Sequence, residues 1–312
     1  MKIHNTRIIY SYVELYSNLV TLPHYTLLKW LRIHTHKKGH TKMRILRTYF
    51  PFTKGVVQAF MAYRANFYVY VLGDMFQTVV LLYIWFAIFS SATQNVIQGF
   101  TFKEMIGYVV ISTLTSMLIS NEVHWDISHD VQTGDIAMSL IKPVNYQLLK
   151  FFSAMGNILV NITFLFIPLW GGYTLYDFIA NGQIPSVSSL LLYFVSVILS
   201  MLILFYINYL FGLAAFFVEY VFGFIFAKEA IMRLLSGQLI PLSFFPASVL
   251  DVFKFLPFAG LVYTPTMLYL GKFNGNDTLF YIGVQIVWVF LLMGLTQFIW
   301  KKAIKRLTIM GG

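Results

Sequence analysis

The feature that most constrains the fold is the uncharged apolar segment from Ser188 to Leu210, SSLLLYFVSVILSMLILFYINYL. A helix that crosses a bilayer needs about 20 mostly apolar residues, and this segment supplies them without interruption. The whole chain is 58% hydrophobic and only 11% charged, so it has too few charged side chains to cover a water-soluble globule. We therefore expect an all-α integral membrane protein.

Five other segments have the length of a membrane span, which gives a prediction of six transmembrane helices. The other five lie at residues 67–89, 104–121, 150–173, 221–242 and 278–300. Half of the 22 lysines and arginines precede Phe67, and the last span ends in the basic run KKAIKR, whereas the loop 174–187 contains neither residue type. Because basic residues flank spans on the cytoplasmic side, we expect both termini in the cytoplasm.

The first 42 residues are polar and basic and contain no segment long enough to span. We interpret them as an N-terminal extension, followed by a transmembrane domain that covers residues 43–312 and begins at a second methionine. The run HTHKKGH within the extension carries three histidines. A metal site is one interpretation of this run, but a basic tail is favoured because such short patterns are weak signals.

Two further segments predict helices that do not span. Residues 53–66 place Val56, Val57, Phe60 and Met61 on one face, which predicts an amphipathic helix at the cytoplasmic membrane surface. Four prolines divide the apolar segment 236–272 into pieces that are too short to cross a membrane. It predicts short re-entrant helices near the outer leaflet.

A polar stretch, EVHWDISHDVQTGDIAMSLIKPVNY (Glu122–Tyr146), separates two of the apolar segments. Trp125, Ile127 and Val131 alternate there with acidic residues and histidines, which predicts a short surface helix. The stretch is either a docking element or an ordinary loop between spans.

The second half of this stretch carries the signals of a corner and a stop. Gly134 supplies the permissive backbone that a helix end requires, and Asp135 is placed to cap the next helix through its free amides. Pro143 ends that helix because it has no amide hydrogen and disfavours helix at the residue before it. The predicted order is helix, tight corner, helix, stop.

Charged residues inside predicted spans are candidate functional sites because lipid solvates charge poorly. Asp74 lies in the first span, and Glu229 and Arg233 lie in the fifth. Asp74 is equally compatible with an interfacial residue that pairs with a nearby cation. Glu229 and Arg233 have the i, i+4 spacing of a helical ion pair, and we favour a pair that faces the protein interior over a substrate site.

The sequence excludes several kinds of chemistry. It contains no cysteine, which excludes disulfides and thiolate catalysis, and no GxxxxGK[ST] phosphate loop, so ATP hydrolysis is expected on another subunit. His124 and His129 are five residues apart, a spacing that does not bring two rings to one helix face. The net charge of +10 is concentrated beside the spans. We therefore expect no bound metal or cofactor and no nucleic-acid partner.

The phrases TGDIAMSLIKPVN and LLSGQLIPLSFFP, the latter followed by LPFAGLVYTPTMLYLG, resemble permease subunits of ABC-2 type exporters, in particular a bacterial branch of them. The resemblance extends from about Met43 to the C-terminus. It implies that residues 124–142 hold a coupling helix that sits in a groove of an ATPase, and that residues 236–272 lie above the translocation path. The residues expected to make the mechanical contact are Trp125, Ile127, Val131, Gly134 and Asp135.

The resemblance also implies partners. A permease of six spans offers half a pathway, so a second permease, identical or related, is expected together with separate ABC ATPase subunits that bind ATP and Mg. The implied location is the bacterial cell membrane and the implied direction is export. The alternative function is an ion- or proton-coupled secondary transporter that uses Asp74 and Glu229.

Overall fold

The computed structural model describes residues 41–182, 184–218 and 220–306. The chain divides into two compact units, Met1–Thr48 and Tyr49–Gly312, and the contacts below all lie within the second unit. The HTHKKGH run and all but the last two residues of the predicted extension lie outside the described residues. The predicted domain boundary at residue 43 stays a prediction.

The described residues form twelve α-helices. These are α1 (Thr41–Ala62), α2 (Arg64–Ser91), α3 (Phe102–Ile119), α4 (Val123–Gln132), α5 (Asp135–Ile141), α6 (Tyr146–Asn161), α7 (Ile167–Asn181), α8 (Val187–Leu213), α9 (Phe222–Leu235), α10 (Ala247–Phe253), α11 (Tyr263–Tyr269) and α12 (Gly275–Ala303). Shorter elements are a π turn, Ile162–Phe166, between α6 and α7, 3-10 turns at Ala214–Phe216, Leu242–Phe244 and Ile304–Arg306, and an antiparallel hairpin of β1 (Val96–Ile97) and β2 (Phe100–Thr101).

Within the described residues, five helical stretches are long and apolar enough to cross a membrane. They are Phe67–Ser91, Phe102–Gln132, Tyr146–Asn181, Val187–Phe216 and Gly275–Arg306. They coincide with five of the predicted spans and confirm the class of all-α integral membrane protein. The loop predicted at 174–187 is shorter than expected, because α7 continues to Asn181 and ends at Gly182 in the left-handed conformation.

The remaining predicted span, residues 221–242, has a different structure. Only α9 is helical there, and its 14 residues measure about 21 Å at ~1.5 Å per residue, less than the ~30 Å of a hydrocarbon core. The chain then turns at Gly237, whose φ is +79°. The count of six spans therefore stays a prediction.

Helix α8 lies at the centre of the fold, where it packs against α4, α11 and α12. A buried polar network attaches the segment before α11 to α8. The Gln285 amide of α12 donates to the carbonyl of Gly260 at 2.7 Å and to the hydroxyl of Ser200 on α8 at 3.2 Å. The Ser196 hydroxyl donates back to the Gln285 side chain at 2.9 Å. The proline-rich segment forms short helices, as predicted. Helix α11 has all seven of its residues buried and is part of the core, whereas α10 has none of its residues buried.

Helix α1 packs against α6 through one face. The Thr53 hydroxyl donates to the carbonyl of Phe152 at 2.6 Å, and Tyr49 stacks on the Phe152 ring. Gly156 of α6 leaves space for this contact, since a Cβ there would lie 2.7 Å from the Cβ of Val56. The predicted amphipathic helix is present but ends at Ala62, and Met61 is the residue of its predicted apolar face that is exposed, at 50%. Its location at the membrane surface stays a prediction.

Candidate functional site

The stretch between α3 and α6 folds as helix, corner and helix, as the sequence predicts. The corner is Gly134, which has φ +82° and ψ 0°, a conformation that L side chains rarely adopt. Helix α5 follows directly and gives way to extended backbone at Lys142, the conformation that a following proline favours. The two turn signals, Gly134 and Pro143, therefore set the bounds of α5.

Asp135 does not cap α5 as predicted. The N-cap is Gly134, Asp135 is the first helical residue, and no side chain makes a capping bond. The Asp135 carboxylate instead accepts a hydrogen bond of 2.9 Å from the Thr133 hydroxyl. This bond joins the residues on either side of Gly134. The carboxylate also places negative charge beside the N-terminus of α5, where such charge is favoured.

Helix α4 is not the surface helix that the sequence predicts. Ile127 is 0% exposed and His124 is 2% exposed, because both lie against Gly212 of α8. A Cβ added at Gly212 would lie 2.8 Å from the Ile127 Cβ and 3.2 Å from the His124 Cα. The two helices approach this closely because Gly212 has no side chain, as at other tight helix contacts in membranes. Ile127 therefore joins α4 to α8.

The other two predicted contact residues of α4 also face the protein. The Trp125 ring lies 5.4 Å from that of Phe222 and 6.1 Å from that of Phe226, both on α9. Val131 packs against a buried cluster that includes Ile136 and Tyr209. Trp125 and Val131 are both half-buried, so their contacts attach α4 to its neighbours.

Polar contacts attach the start of α4 to α8 and α9. His124 Nε2 lies 3.4 Å from Glu229 Oε1, and the neighbouring Lys228 ammonium donates to Asn208 Oδ1 at 2.8 Å. The Asn208 amide in turn donates to the carbonyl of Asn121 at 2.9 Å. Lys228, Asn208 and Asn121 are all buried, so one chain of contacts links three segments of the protein.

The predicted ion pair between Glu229 and Arg233 does not form. Glu229 faces α4, where its partners are His124 at 3.4 Å and Lys228 at 4.0 Å. Arg233 turns the other way, and its Nη1 donates to Gln77 Oε1 of α2 at 3.3 Å. A tertiary contact has thus replaced the local i, i+4 contact.

A second set of contacts attaches the end of α4 to α6 and α12. Asp130 forms an ion pair of 2.8 Å with the buried Lys150 ammonium and accepts a hydrogen bond of 2.6 Å from the Tyr146 hydroxyl. The Tyr146 ring stacks on Trp300 of α12, with centroids 5.4 Å apart and planes 4° from parallel. Helix α4 is therefore held at both ends and, through Ile127, in its middle.

The exposed surface of this element lies on the corner and on α5. Gly134 and Asp135 are exposed, and next to them Met138 is 61% and Ile141 is 78% exposed, whereas Ile136 is fully buried. The spacing of Asp135, Met138 and Ile141 puts them on one helix face. Met138 and Ile141 are not among the contact residues predicted from the sequence. The signal that could have identified them is their position on the helix face opposite the apolar Ile136.

The predicted intramembrane polar residues separate into two places. Asp74 of α2 and Arg233 of α9 line one cavity, together with Gln77 and Gln238. Glu229 belongs to the contacts of His124 and Lys228. Among the described residues, no group of three or more histidine, aspartate or glutamate side chains is arranged to hold a metal ion.

In the described part of the chain, five long apolar helices that pack on one another define a polytopic membrane protein. The sequence matches the family described as ABC-2 family transporter protein over residues 75–311. The chain therefore belongs to the ABC-2 transporter family and is a permease of an ABC transporter. No curated protein matches the sequence.

Proposed function

We propose that this chain is the permease subunit of an exporter in the bacterial cell membrane, and that α4 and α5 couple it to a separate ABC ATPase. One observation carries the proposal: an exposed apolar face, Met138 and Ile141, adjoins a corner whose neighbouring helix, α4, is attached to α6, α8 and α9. Exposed apolar patches with charged neighbours are typical of sites where a protein partner binds.

The contacts of α4 supply a route by which movement of the ATPase reaches the spans. A displacement of the corner moves α4, whose middle presses on α8 at Gly212. Its start is attached to α9 through Glu229, and its end is attached to α6 through Lys150. Coupling requires that different states of the ATPase favour different packings of the membrane helices. ATP-driven closure of the ATPase subunits is the step that selects between them.

The charge distribution supports a cytoplasmic position for this end of the protein. The contact between Tyr146 and Trp300 places the start of α6 beside the end of α12. The basic run that begins at Lys301 follows directly, and Lys142 lies at the end of α5. Lysine and arginine beside spans mark the cytoplasmic side, which is where an ATPase has access to ATP.

The remaining partners follow from the family. A second permease, identical or related, completes the pathway, and the ATPase subunits bind ATP and Mg. A secondary transporter that uses Asp74 and Glu229 is less well supported, because an ion site requires converging ligands and these two carboxylates have different neighbours.

The experiment is co-purification of the tagged permease with the ABC ATPase whose gene lies nearest to its own. Ile141→Asp places a charge on the proposed contact face and is expected to reduce ATPase recovery at least tenfold. The matched control is Ile184→Asp, since Ile184 is also an exposed apolar residue (69% exposed) in the loop that precedes α8. Equal recovery with both variants would contradict the proposal.

A further inference from the structure

A polar cavity of about 120 Å³ lies between α2, α3, α9 and the turn that follows α9. This volume is well above the ~10–15 Å³ that one enclosed water molecule requires. Its lining includes two opposite charges and several neutral hydrogen-bonding groups: Asp74, Gln77, Thr113, Ser116, Arg233 and Gln238. A cavity with this lining is unusual among apolar spans and is suited to a polar ligand.

The two charges of the cavity attract each other but do not pair directly. Asp74 and Arg233 line the same cavity, yet within the described part of the chain neither forms an ion pair within 4.0 Å. Arg233 donates one hydrogen bond of 3.3 Å to Gln77. A ligand that carries both an ammonium and an anion neutralises both charges at once. Its ammonium faces the carboxylate, and its anion faces the guanidinium.

The groups on each side select the parts of such a ligand. The planar guanidinium of Arg233 suits a phosphate, which it can bind through two parallel hydrogen bonds, and the Asp74 carboxylate accepts from an ammonium. The lining also includes three apolar side chains, those of Leu81, Met117 and Leu239. The cavity is therefore suited to a polar group attached to an apolar body.

We propose that this cavity binds the zwitterionic headgroup of the transported substrate, with its ammonium at Asp74 and its phosphate at Arg233. The proposal rests on the proposed permease function, because it assigns a substrate class to it. The same chemistry occurs in a phosphatidylethanolamine headgroup and in free phosphoethanolamine, and the experiment separates these two sources.

The test uses the absence of cysteine from the chain, since Ser116→Cys then places the only thiol in the cavity. We would measure the rate of maleimide labelling of the purified permease in detergent. Phosphatidylethanolamine is expected to slow labelling at least fivefold, and phosphatidylglycerol with the same acyl chains is expected to have no effect. Ser188→Cys, a thiol at an exposed position at the start of α8, is the control for general effects of lipid.

Two charge variants, Asp74→Asn and Arg233→Gln, are each added to Ser116→Cys and are expected to abolish the protection from labelling. Asp251→Asn, in the exposed pair with Lys254, is the control and is expected to preserve it. Protection by free phosphoethanolamine as well assigns a soluble zwitterion, and protection by the lipid alone assigns a lipid. Equal labelling with both lipids would overturn the proposal even if the charge variants fail to fold. No ATPase is present, so this result is independent of whether the permease couples to one.

Discussion

Gly212 and Ile127 touch across α8 and α4 with no space for a side chain at position 212. A Cβ there would lie 2.8 Å from the Ile127 Cβ, a distance at which one of the two helices has to move. Ile127 belongs to the element between two spans, and Gly212 belongs to the end of the central helix. The proposed coupling route from α4 to α8 passes through this contact.

The first prediction concerns this contact. Gly212→Ala is expected to lower the free energy of unfolding by about 1–3 kcal/mol, the usual cost of overpacking, and to lower the ATP turnover of the complex. Gly223→Ala is the matched control, because a Cβ at Gly223 meets no atom within 4 Å. Thermal unfolding in detergent measures the difference, and equal stability of the two variants would show that α4 and α8 are not in contact.

The second prediction concerns the ion pair between Asp130 and Lys150. Lys150→Met removes one partner of a buried pair and leaves a carboxylate without its cation, which typically costs about 3–5 kcal/mol. Adding Asp130→Asn is expected to recover part of this loss. The exposed pair of Asp251 and Lys254, at 2.6 Å, is the control, since breaking an exposed pair costs only about 0–1 kcal/mol. Denaturant unfolding that gives equal losses for the two pairs would contradict the assignment.

The local structure of the stretch Glu122–Tyr146 was predictable because its signals are local. Gly134 and Pro143 each restrict their own backbone or that of an immediate neighbour, and α5 begins and ends beside them. The burial of α4 was not predictable in this way. It depends on Gly212, which is far away in the sequence and has no pattern that identifies its partner.

The charged residues of α9 show the same limit. The i, i+4 spacing of Glu229 and Arg233 is a local signal, but the contacts of Glu229 with His124 and of Arg233 with Gln77 are tertiary. Hydropathy identified the segment 221–242 as apolar, yet it does not report where a helix stops. Gly237, with φ +79°, is the residue at which the chain turns.

The third prediction concerns the corner. Gly134→Ala forces a Cβ into a left-handed conformation, which costs about 1–2 kcal/mol, whereas Gly134→Asn is tolerated better because asparagine adopts this conformation more readily. We expect ATPase co-purification to fall with alanine and to be largely kept with asparagine. Gly171→Ala is the control, because Gly171 lies within α7 and has open space around it. A loss with asparagine as large as that with alanine would argue against a role for backbone strain.

The fourth prediction concerns the proline-rich segment. Gln285→Leu removes the hydrogen bonds of this side chain with the Gly260 carbonyl and with the Ser196 hydroxyl. The Gly260 carbonyl keeps a bond of 2.6 Å from the Ser200 hydroxyl, but the buried Ser196 hydroxyl loses its acceptor, which costs about 1–3 kcal/mol. Hydrogen exchange in residues 254–262 is expected to become faster. Gln297→Leu, which removes an exposed bond to Gln147, is expected to leave this exchange unchanged. Unchanged exchange in Gln285→Leu would show that Gln285 does not hold the segment.

The central claim is that the face formed by Met138 and Ile141 contacts an ATPase. The most direct measurement is photo-cross-linking with a photoreactive amino acid at position 138, where Met138 is 61% exposed, in the complex with the candidate ATPase. The same amino acid at position 184 serves as the control. The account predicts a cross-link to the ATPase from position 138 and none from position 184. No cross-link from position 138, or equal cross-linking from both positions, would contradict it.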